Sequence, residues 1–497
     1  MTPSPQQSEF FDWIQYGEGS CVLEAVAGAG KTSTLIQALD MMRGTIFFGA
    51  YNKAIADEIQ ARAGGFKPGR TISTMHAIGW KFYRKAFPNV VLDGNKVRDI
   101  FRAAVARNPL LQYDRFEGQV LKLVSLAKQS GLGFLKPLDV ANLMELVDHY
   151  DIEVFDEDTQ QDNTKVILGL TKKTLEASIA LDHKVADFDD MIYSPLYHKV
   201  KIFGYDWVLV DEAQDTNATR RALALRLLNR GGRLVAVGDR HQAIYGFTGA
   251  DSKALDLIAE AVSARRLPLT TTFRCPKAVV SYAQQWVQHI QAADTAPEGT
   301  VTTEQFENLE KVAVPGDAVL CRFNAPLVSN VYKFIAAGIP AKVEGREIGS
   351  GLKELAKRWK VKSLQALLEK LDKYQERETA KHRAKENEAK AAAVEDKVAC
   401  LRVIIGRVQK VDAFTKDPVG LVCREVDTIF SDAPDAKVVT FASIHKSKGR
   451  EWHKVVWLQT GPSPWARKAW EQEQETNLCY VAATRAKSEL VLIAVPK

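Results

Sequence analysis

Closely spaced cysteines are missing from this 497-residue chain: its six cysteines are scattered, and no two of them form a Cys-x-x-Cys pair. A disulfide framework, a zinc site and an iron–sulfur cluster are therefore not expected. Long apolar runs are missing as well, since none approaches the ~18 residues that span a bilayer. The first residues, MTPSPQQSEFFDWI, have neither the basic nor the apolar segment of a signal peptide. We expect an intracellular protein without a membrane partner.

Glycine and proline are missing between Leu352 and Ile405. The middle of this segment, KYQERETAKHRAKENEAKAAAVEDK, is highly charged and rich in helix-forming residues. The pattern predicts two solvated helices joined by a polar tip. Residues 81–184 are also mostly helical in character, so we interpret both segments as helical insertions into a larger framework.

A strong charge of either sign is missing too. The net charge of +6 is mildly basic, so it permits a nucleic-acid partner without requiring one. With 46% hydrophobic and 26% charged residues, the chain can bury substantial cores. Its length is enough for roughly three or four domains.

Short apolar runs are present, and each predicts a buried parallel strand. They alternate with stretches of helical spacing, which is typical of an α/β fold with helices on both faces of a sheet. The runs fall into two groups, within residues 21–238 and 318–495, so two sheets are expected. In chain order the runs are CVLEAV, TIFFGA, WVLVDE, RLVAVGD, AVLCRF, KVVTFAS, KVVWLQ and LVLIAV.

A glycine-rich segment follows the first run. Its spacing, Ala25-x4-Gly30-Lys31-Thr32, matches the phosphate-binding P-loop except that alanine replaces the first glycine. In that motif, backbone N–H groups of the loop and of the next helix bind phosphate oxygens. Lys31 is predicted to neutralise the β- and γ-phosphates, and Thr32 to hold Mg²⁺. The predicted nucleotide-binding residues are Ala25, Val26, Ala27, Gly28, Ala29, Gly30, Lys31, Thr32 and Ser33.

A pair of acids can complete the metal site. The run WVLVDE ends in Asp211 and Glu212. Asp211 is predicted to hold Mg²⁺ through its coordination shell, and Glu212 to orient and deprotonate the attacking water. Such a pair alone is equally typical of a solvated strand end, but the P-loop upstream favours the metal site.

With AGAGKT and DEAQD together, the chain resembles superfamily one helicases of the UvrD, Rep and PcrA type and their F-box DNA helicase branch. The resemblance implies an α/β fold of two RecA-like lobes, each with a helical insertion. Further segments match the family's motifs in order: SPQQ, FGAYNKAIADEI, STMHAIGW, ADFDDMI, VGDRHQAIYGFTGA, TTTFRCP, VLCRFNAP, ASIHKSKGREW and NLCYVAATRAK. The implied bounds are 1–80 and 185–268 for the first lobe, 81–184 for its insertion, 269–350 and 415–497 for the second lobe, and 351–414 for a reduced second insertion.

The resemblance also implies roles at the nucleotide. Gln242 would sense the γ-phosphate. Arg274 and Arg485 would act as arginine fingers from the second lobe, since the planar, always-charged fork of arginine suits phosphate oxygens. The residues implied at the adenine and the ribose are Gln7, Phe273 and Glu451.

Single-stranded DNA and its junctions with duplex are the implied partners. Binding a single strand needs backbone contacts and aromatic faces on which bases stack. The aromatic candidates are Tyr51, Tyr245, Phe247 and Phe323. The candidates for backbone contacts are Asn52, Lys53, Thr74, His76, Asn324, Ser443, His445 and Lys446. The family usually has tryptophan at the place of Phe247 and arginine at that of Thr248, so this chain offers less stacking area and less positive charge there.

We predict an ATP- and Mg²⁺-dependent single-stranded DNA translocase and DNA helicase, with 3′→5′ polarity implied by the resemblance. ATP would bind between the lobes, and their closure would drive a step along one strand. Two alternatives stay open: an RNA-directed motor, and an ATP-gated module that displaces proteins with little unwinding. The expected location is cytoplasmic for a bacterial or phage protein and nuclear for a eukaryotic one.

Overall fold

The computed structural model describes residues 3–107, 110, 112–156, 161–246, 249, 251, 253–384, 388–411, 417–430, 437–461, 466 and 468–496. The chain divides into two compact units, residues 1–26 with 30–269 and residues 27–29 with 270–497. Each unit contains a six-stranded sheet in which all neighbouring strands are parallel. The prediction of an α/β protein with two parallel sheets is confirmed.

The large sheet of the first unit has the strand order β10–β1–β9–β8–β2–β3, and shorter strands pair outside it. The strands are β1 (Cys21–Ala25), β2 (Ile46–Ala50), β3 (Arg70–Thr74), β4 (Val91–Leu92), β5 (Phe155–Asp156), β6 (Gln161–Asp162), β7 (Val185–Ala186), β8 (Tyr205–Val210), β9 (Leu228–Gly238) and β10 (Arg265–Leu269). The inner strands carry buried apolar runs, such as 207–210 in β8 and 234–237 in β9, because helices cover both faces of a parallel sheet.

The helices of the first unit are α1 (Pro5–Tyr16), α2 (Lys31–Ala38), α3 (Lys53–Arg62), α4 (Met75–Ala86), α5 (Lys96–Val105), α6 (Glu117–Gln129), α7 (Val140–His149), α8 (Thr164–Leu181), α9 (Asp190–Tyr197), α10 (Ala218–Arg226) and α11 (Ala254–Ala261). Helices α5 to α8 form a separate apolar cluster around side chains such as Phe101, Leu123, Leu143 and Leu175. The helical character predicted for residues 81–184 therefore has its own core.

Buried charges tie this helical cluster to the strand-bearing part of the unit. The ammonium Nζ of Lys96 lies 2.7 Å from the Asp190 carboxylate, and that of Lys128 lies 2.6 Å from both Asp187 and Asp190. Burial alone would lower the pKa of Lys128, but the two carboxylates raise it. Removing one partner would leave an uncompensated buried charge, at a cost of about 3–5 kcal/mol. The acids of the segment ADFDDMI thus have a structural task.

The large sheet of the second unit has the order β13–β18–β17–β14–β16–β15. The strands are β11 (Thr271–Thr272), β12 (Gln291–Ala292), β13 (Thr300–Glu304), β14 (Ala318–Cys321), β15 (Ala341–Val343), β16 (Val439–Ser443), β17 (Trp452–Gln459) and β18 (Ala486–Ala494). The helices are α12 (Lys277–Ala283), α13 (Leu309–Val312), α14 (Asn324–Ala336), α15 (Arg346–Lys357), α16 (Leu364–Ala384), α17 (Glu388–Val411), α18 (Pro418–Ile429), α19 (Ile444–Ser447) and α20 (Ala469–Ala483). No helix of the described chain is long and apolar enough to cross a bilayer.

The charged segment forms α16 and α17, which pair along their length, but it is only partly solvated. Leu367 of α16 and Leu401 and Ile404 of α17 are fully buried in the same apolar cluster as Val319 and Phe441 of the sheet. The prediction of two solvated helices is therefore wrong for the end that joins the lobe. The apolar runs LQALLEKL and VACLRVII, near the two ends of the segment, are the signal for this burial. The long charged stretch between them obscures it.

Candidate nucleotide and nucleic-acid sites

The P-loop connects the end of β1 to the start of α2. Gly28 and Gly30 have φ angles of 72° and 76°, in the left-handed region that residues with a side chain rarely adopt. Gly30 is the N-cap of α2, and the first helical residue is Lys31. The first N–H groups of a helix have no partner within it, so this turn presents donors and a partial positive charge to an anion.

The acids after β8 meet the P-loop within the first unit. The Thr32 hydroxyl donates to Oδ2 of Asp211 at 2.7 Å. The Lys31 ammonium lies 3.6 Å from Oε1 of Glu212. The parallel strands β1 and β8 both end at this edge of the sheet, which is why Thr32 and Asp211, 179 positions apart, come together. A hydroxyl, a carboxylate and an ammonium are the donor set that a Mg²⁺–phosphate group requires.

Electrostatics at Asp211 also fit a cation. Burial and the neighbouring Glu212 raise the pKa of Asp211 to about 6, although the Thr32 hydroxyl and Lys31 oppose the rise. A bound divalent cation reverses this effect because its charge stabilises the carboxylate form. A buried Asp211 beside a second, half-buried acid is thus costly by itself and would be stabilised by a metal ion.

The backbone at Glu212 is strained. Its φ angle of 49° is left-handed, which is uncommon for a residue with a side chain. Such conformations cost of order 1–3 kcal/mol and occur preferentially at functional sites. The strained backbone directs Glu212 toward Lys31 and Gln214 rather than along the strand.

A hydrogen-bonded chain runs from Glu212 toward Gln242, and the sequence analysis missed two of its members. Gln214 donates from Nε2 to Glu212 at 2.5 Å, and its Oε1 accepts the backbone N–H of Asp239 at 3.1 Å. Asp239 in turn accepts from Nε2 of Gln242 at 2.7 Å. Gln214, Asp239 and Gln242 are all buried. Their positions inside DEAQD and VGDRHQ were the available clue.

Gln7 lies beside the helix that follows the P-loop. Its Oε1 accepts the backbone N–H of Ser4 in a capping box, and its Nε2 donates to Oγ1 of Thr34 at 2.8 Å. The structure therefore brings Gln7 to α2, in the same unit as Lys31. Ser33, also on α2, accepts from the guanidinium of Arg62 at 2.6 Å.

The first-unit candidates for the strand track lie at the same sheet edge. Tyr51, directly after β2, is 43% exposed and lines a small cleft with His76 and Arg220. Burial lowers the pKa of His76 to about 4, with help from Arg220, so this imidazole is neutral at pH 7. Burial and the neighbouring Tyr51 raise the pKa of Tyr245. Phe247 and Thr248 lie outside the described residues.

The polar candidates in this unit already have local partners. Asn52 caps α3 by accepting the backbone N–H of Ile55, and Thr74 caps α4 by accepting that of Ala77. Lys53 pairs with Asp57 on the next turn of α3 and is highly exposed. Asn52 and Lys53 are exposed, whereas Thr74 is half-buried.

The second-unit candidates for the nucleotide contact one another. The Arg274 Nε donates to Glu451 at 2.6 Å, and the Lys487 ammonium lies 3.6 Å from the same carboxylate. Although partial burial raises it, the pKa of Glu451 is lowered overall by Arg274 and Lys487. Phe273, next to Arg274, is 42% exposed, as a residue that stacks on a ligand should be.

Arg485 is the largest of the fully buried side chains, with 1% of its surface exposed. Its Nε donates to the carbonyl of Val481 at 3.0 Å and its Nη1 to that of Arg450 at 3.1 Å. The guanidinium therefore satisfies backbone carbonyls at the end of α20 and in the turn before β17. This structural role is separate from any role at a phosphate.

The second-unit candidates for the strand track follow the ends of β14 and β16. The backbone N–H and the amide of Asn324 both donate to Asp396 of α17 at 3.1 Å. Ser443 caps α19 by accepting the backbone N–H of Lys446. Burial lowers the pKa of His445 to about 3, with contributions from Arg322 and Lys448, so it is neutral at pH 7.

The role of Asp396 was also missed. This acid belongs to the charged segment, yet it accepts the first backbone N–H groups of α14, including that of Ala325 at 2.5 Å. It therefore orients the start of α14, where Phe323 and Asn324 lie. The surrounding charges of α17 gave no indication that one carboxylate points into the lobe.

A P-loop unit joined to a second parallel α/β unit defines a class of nucleotide-binding protein, and comparison with known families specifies it. The family model described as the UvrD/REP helicase N-terminal domain matches residues 6–262, and that of the UvrD-like helicase C-terminal domain matches residues 354–497. The chain belongs to the UvrD/Rep helicase family.

Individual relatives are distant. The chain is similar to F-box DNA helicase protein 1 of Schizosaccharomyces pombe, with 28% identity over 52% of this chain and 30% of the relative. It is 24% identical to the ATP-dependent DNA helicase PcrA of Staphylococcus epidermidis over 57% of this chain and 40% of the relative. It is also 24% identical to the ATP-dependent DNA helicase Rep of Escherichia coli, over 52% of this chain and 39% of the relative. The aligned segments thus span well under half of these relatives' own length.

Proposed function

We propose that the chain is an ATP-dependent DNA helicase that translocates along single-stranded DNA with 3′→5′ polarity. The observation that carries the proposal is the contact of Thr32 with Asp211, next to the ion pair of Lys31 with Glu212, in a chain of the UvrD/Rep helicase family. The names of the relatives favour DNA as the substrate.

In this proposal the P-loop residues 25–33 bind the phosphates of ATP, and Thr32 and Asp211 hold Mg²⁺. The metal would neutralise charge on the β- and γ-phosphates during transfer to water. Glu212 orients and deprotonates that water, while Gln7 and Phe273 bind the adenine and Glu451 the ribose. The chain Glu212–Gln214–Asp239–Gln242 reports the state of the γ-phosphate away from the P-loop.

We propose Arg274 and Arg485 as the arginines that stabilise charge on the γ-phosphate. Their fork geometry and permanent charge support this role. We also propose two lobes with one insertion each: 1–80 and 185–268 with insertion 81–184, and 269–350 and 415–497 with insertion 351–414. The residues proposed to bind single-stranded DNA come from both units. They are Tyr51, Asn52, Lys53, Thr74, His76, Tyr245 and Phe247 in the first, and Phe323, Asn324, Ser443, His445 and Lys446 in the second. Junctions with duplex are the proposed site of unwinding.

Unwinding of a duplex with a 3′ or a 5′ single-stranded overhang tests the proposal. We expect ATP-dependent strand separation with the 3′ overhang and none with the 5′ overhang. Lys31→Ala provides the matched control for contaminating activity. ATPase stimulation by DNA and RNA oligonucleotides of matched sequence is measured in parallel. Stimulation by RNA alone, or binding of DNA without hydrolysis or unwinding, would contradict the proposal.

A further inference from the structure

The second unit contains an aromatic cavity of about 300 Å³ that the site described above does not use. Its walls include the half-buried rings of Tyr282 and Trp286 and the buried ring of Trp457. The ring centroids of Tyr282 and Trp286 are 5.4 Å apart, and those of Trp286 and Trp457 are 6.0 Å apart. This volume is at the lower end of the range for ligand pockets, so a small, flat group fits it best.

The polar part of the lining carries no free charge. Arg322 forms an ion pair with Glu475, with Nη2–Oε1 and Nε–Oε1 distances of 2.8 and 3.0 Å. The two charges offset each other in the wall of the cavity. Because the lining then has no net charge, the cavity favours a neutral ligand over an ionic one.

The cavity also has a polar side. Gln285, Gln459 and Thr460 line it beside the aromatic rings. A flat group that stacks on the rings can form hydrogen bonds with polar side chains through its rim. A neutral, flat group with a polar rim is the description of a nucleobase.

The position of the cavity connects it to the strand track. Arg322 and Ile444 line it, and they are the chain neighbours of Phe323 and Ser443. Gln459, the last residue of β17, lines it too. Strands β14, β16 and β17 are parallel neighbours, so their ends place the cavity and the proposed backbone-binding residues on the same sheet edge.

We propose that this cavity, named here the aromatic base pocket, receives one unstacked base of the single strand, with Trp286 as its main stacking face. The inference rests on the proposed function, because it assumes that a single strand crosses this sheet edge. Stacking of a base on an aromatic side chain is sequence-tolerant, since every base has a π-face. The pocket would hold the strand without selecting its sequence.

An abasic scan tests the pocket. A short single-stranded oligonucleotide is prepared with one base removed at each position in turn, and binding to the full chain is measured without ATP. Wild type should lose about 5- to 100-fold in affinity at the position that occupies the pocket, as expected for one base–aromatic stack. Trp286→Ala should bind intact DNA correspondingly less well and lose the penalty at that position alone.

Trp359→Ala is the matched control, because Trp359 is also half-buried in the second unit and packs edge-on against a tyrosine. It should keep the wild-type abasic profile. If the abasic profile of Trp286→Ala is the same as that of wild type, the cavity does not bind a base. An apolar side chain of a protein partner would then be the occupant that fits it. DNA-stimulated ATP hydrolysis of wild type is recorded in the same experiment. If wild type hydrolyses ATP in response to DNA but the abasic profile of Trp286→Ala is unchanged, the pocket is refuted and the proposed helicase function stands. If wild type neither binds DNA nor is stimulated by it, the pocket and the helicase function are both refuted.

Photo-crosslinking of wild type decides the case in which Trp286→Ala fails to fold. Single-stranded DNA carrying one 5-iodouracil at successive positions is irradiated with the full chain, and the crosslinked peptides are identified by mass spectrometry. Crosslinks to the peptide of Tyr282 and Trp286, or to that of Trp457, are expected from one position. Their absence from every position overturns the proposal.

Discussion

The phosphate-binding residues of the first unit contact one another, whereas the arginines of the second unit are bound to their own surroundings. The Thr32 hydroxyl donates to Asp211, and the Lys31 ammonium pairs with Glu212. Arg274, by contrast, is paired with Glu451, and Arg485 donates to backbone carbonyls.

The difference shows which half of the chemistry is preorganised. In the proposed function, the first unit has the donor set for Mg²⁺ and phosphate already in place. Arg274 and Arg485 would exchange their present partners for phosphate oxygens before they act. Replacing a phosphate-site residue of the first unit should therefore remove ATP hydrolysis altogether. Replacing Arg274 or Arg485 should slow the step in which these arginines move from their present partners to the phosphate.

Lys31→Ala should have the largest effect, because it removes the ammonium that neutralises the phosphates and leaves Glu212 without its ion-pair partner. We expect ATP hydrolysis to fall to background, while binding of single-stranded DNA without nucleotide persists. A coupled ATPase assay and fluorescence anisotropy measure the two. Lys172→Ala, an exposed lysine of α8, is the control and should behave as wild type. Substantial hydrolysis by Lys31→Ala would contradict the assignment.

Arg274→Ala should reduce DNA-stimulated turnover by about 10³- to 10⁵-fold, the range for an arginine that stabilises a transferring phosphoryl group. ATP binding should change much less, because the phosphate-binding set of the first unit is intact. Steady-state turnover and nucleotide affinity separate the two effects. Arg402→Ala removes another paired arginine of the second unit and should retain activity. Retention of more than about a tenth of turnover in Arg274→Ala, far above the expected range, would exclude this role.

Arg485→Ala should reduce turnover comparably and, unlike Arg274→Ala, also destabilise the protein. Its loss removes the guanidinium donor to the carbonyl of Arg450 and the shorter of two hydrogen bonds to that of Val481, at about 1–3 kcal/mol. Urea unfolding of both variants measures the difference. Arg485→Lys should recover part of the stability but not the turnover, because it restores a charge without the fork. Equal stability of the two alanine variants would show that the buried hydrogen bonds of Arg485 contribute little.

Gln214→Ala should have a smaller effect, about ten- to a hundredfold on DNA-stimulated turnover, since it removes a hydrogen bond to the charged Glu212. Turnover without DNA should fall less, because the chain from Glu212 to Gln242 is proposed to report the γ-phosphate outward. The ratio of stimulated to basal rates measures this. Gln365→Ala, an exposed glutamine of α16, should leave the ratio unchanged. An unaltered ratio in Gln214→Ala would mean that this chain is only structural.

The inner strands of both sheets could be predicted from the sequence, and the edges could not. All eight predicted runs became β1, β2, β8, β9, β14, β16, β17 and β18, the strands with a neighbour on each side. Within the two large sheets, the four missed strands are β3, β10, β13 and β15, which are the four edges. An edge strand has one partner and more solvent, so Arg70–Thr74 or Thr300–Glu304 carries no apolar run.

The same reasoning separates the parts of the site. Lys31 and Thr32 could be predicted because the P-loop is one contiguous segment with glycines at the positions of positive φ. The hydrogen bonds of Gln214 with Glu212 and Asp239 depend on a strained backbone at Glu212, which no spacing reveals. Trp286 and Trp457 lie in one cavity from distant segments, and each alone is typical of a core residue.

Glu212→Gln tests the central account most directly, because it removes only the charge that activates water. Gln214 and Lys31 approach different oxygens of Glu212, so the single amide oxygen can accept from only one of them. Because glutamine has the size and shape of glutamate, the overall shape of the site should persist. We predict wild-type-like binding of ATP together with loss of hydrolysis, both measured on the same preparation with single-stranded DNA present. Hydrolysis close to the wild-type rate would contradict the assignment of Glu212, and with it the claim that the contact between the P-loop and the end of β8 is the catalytic centre.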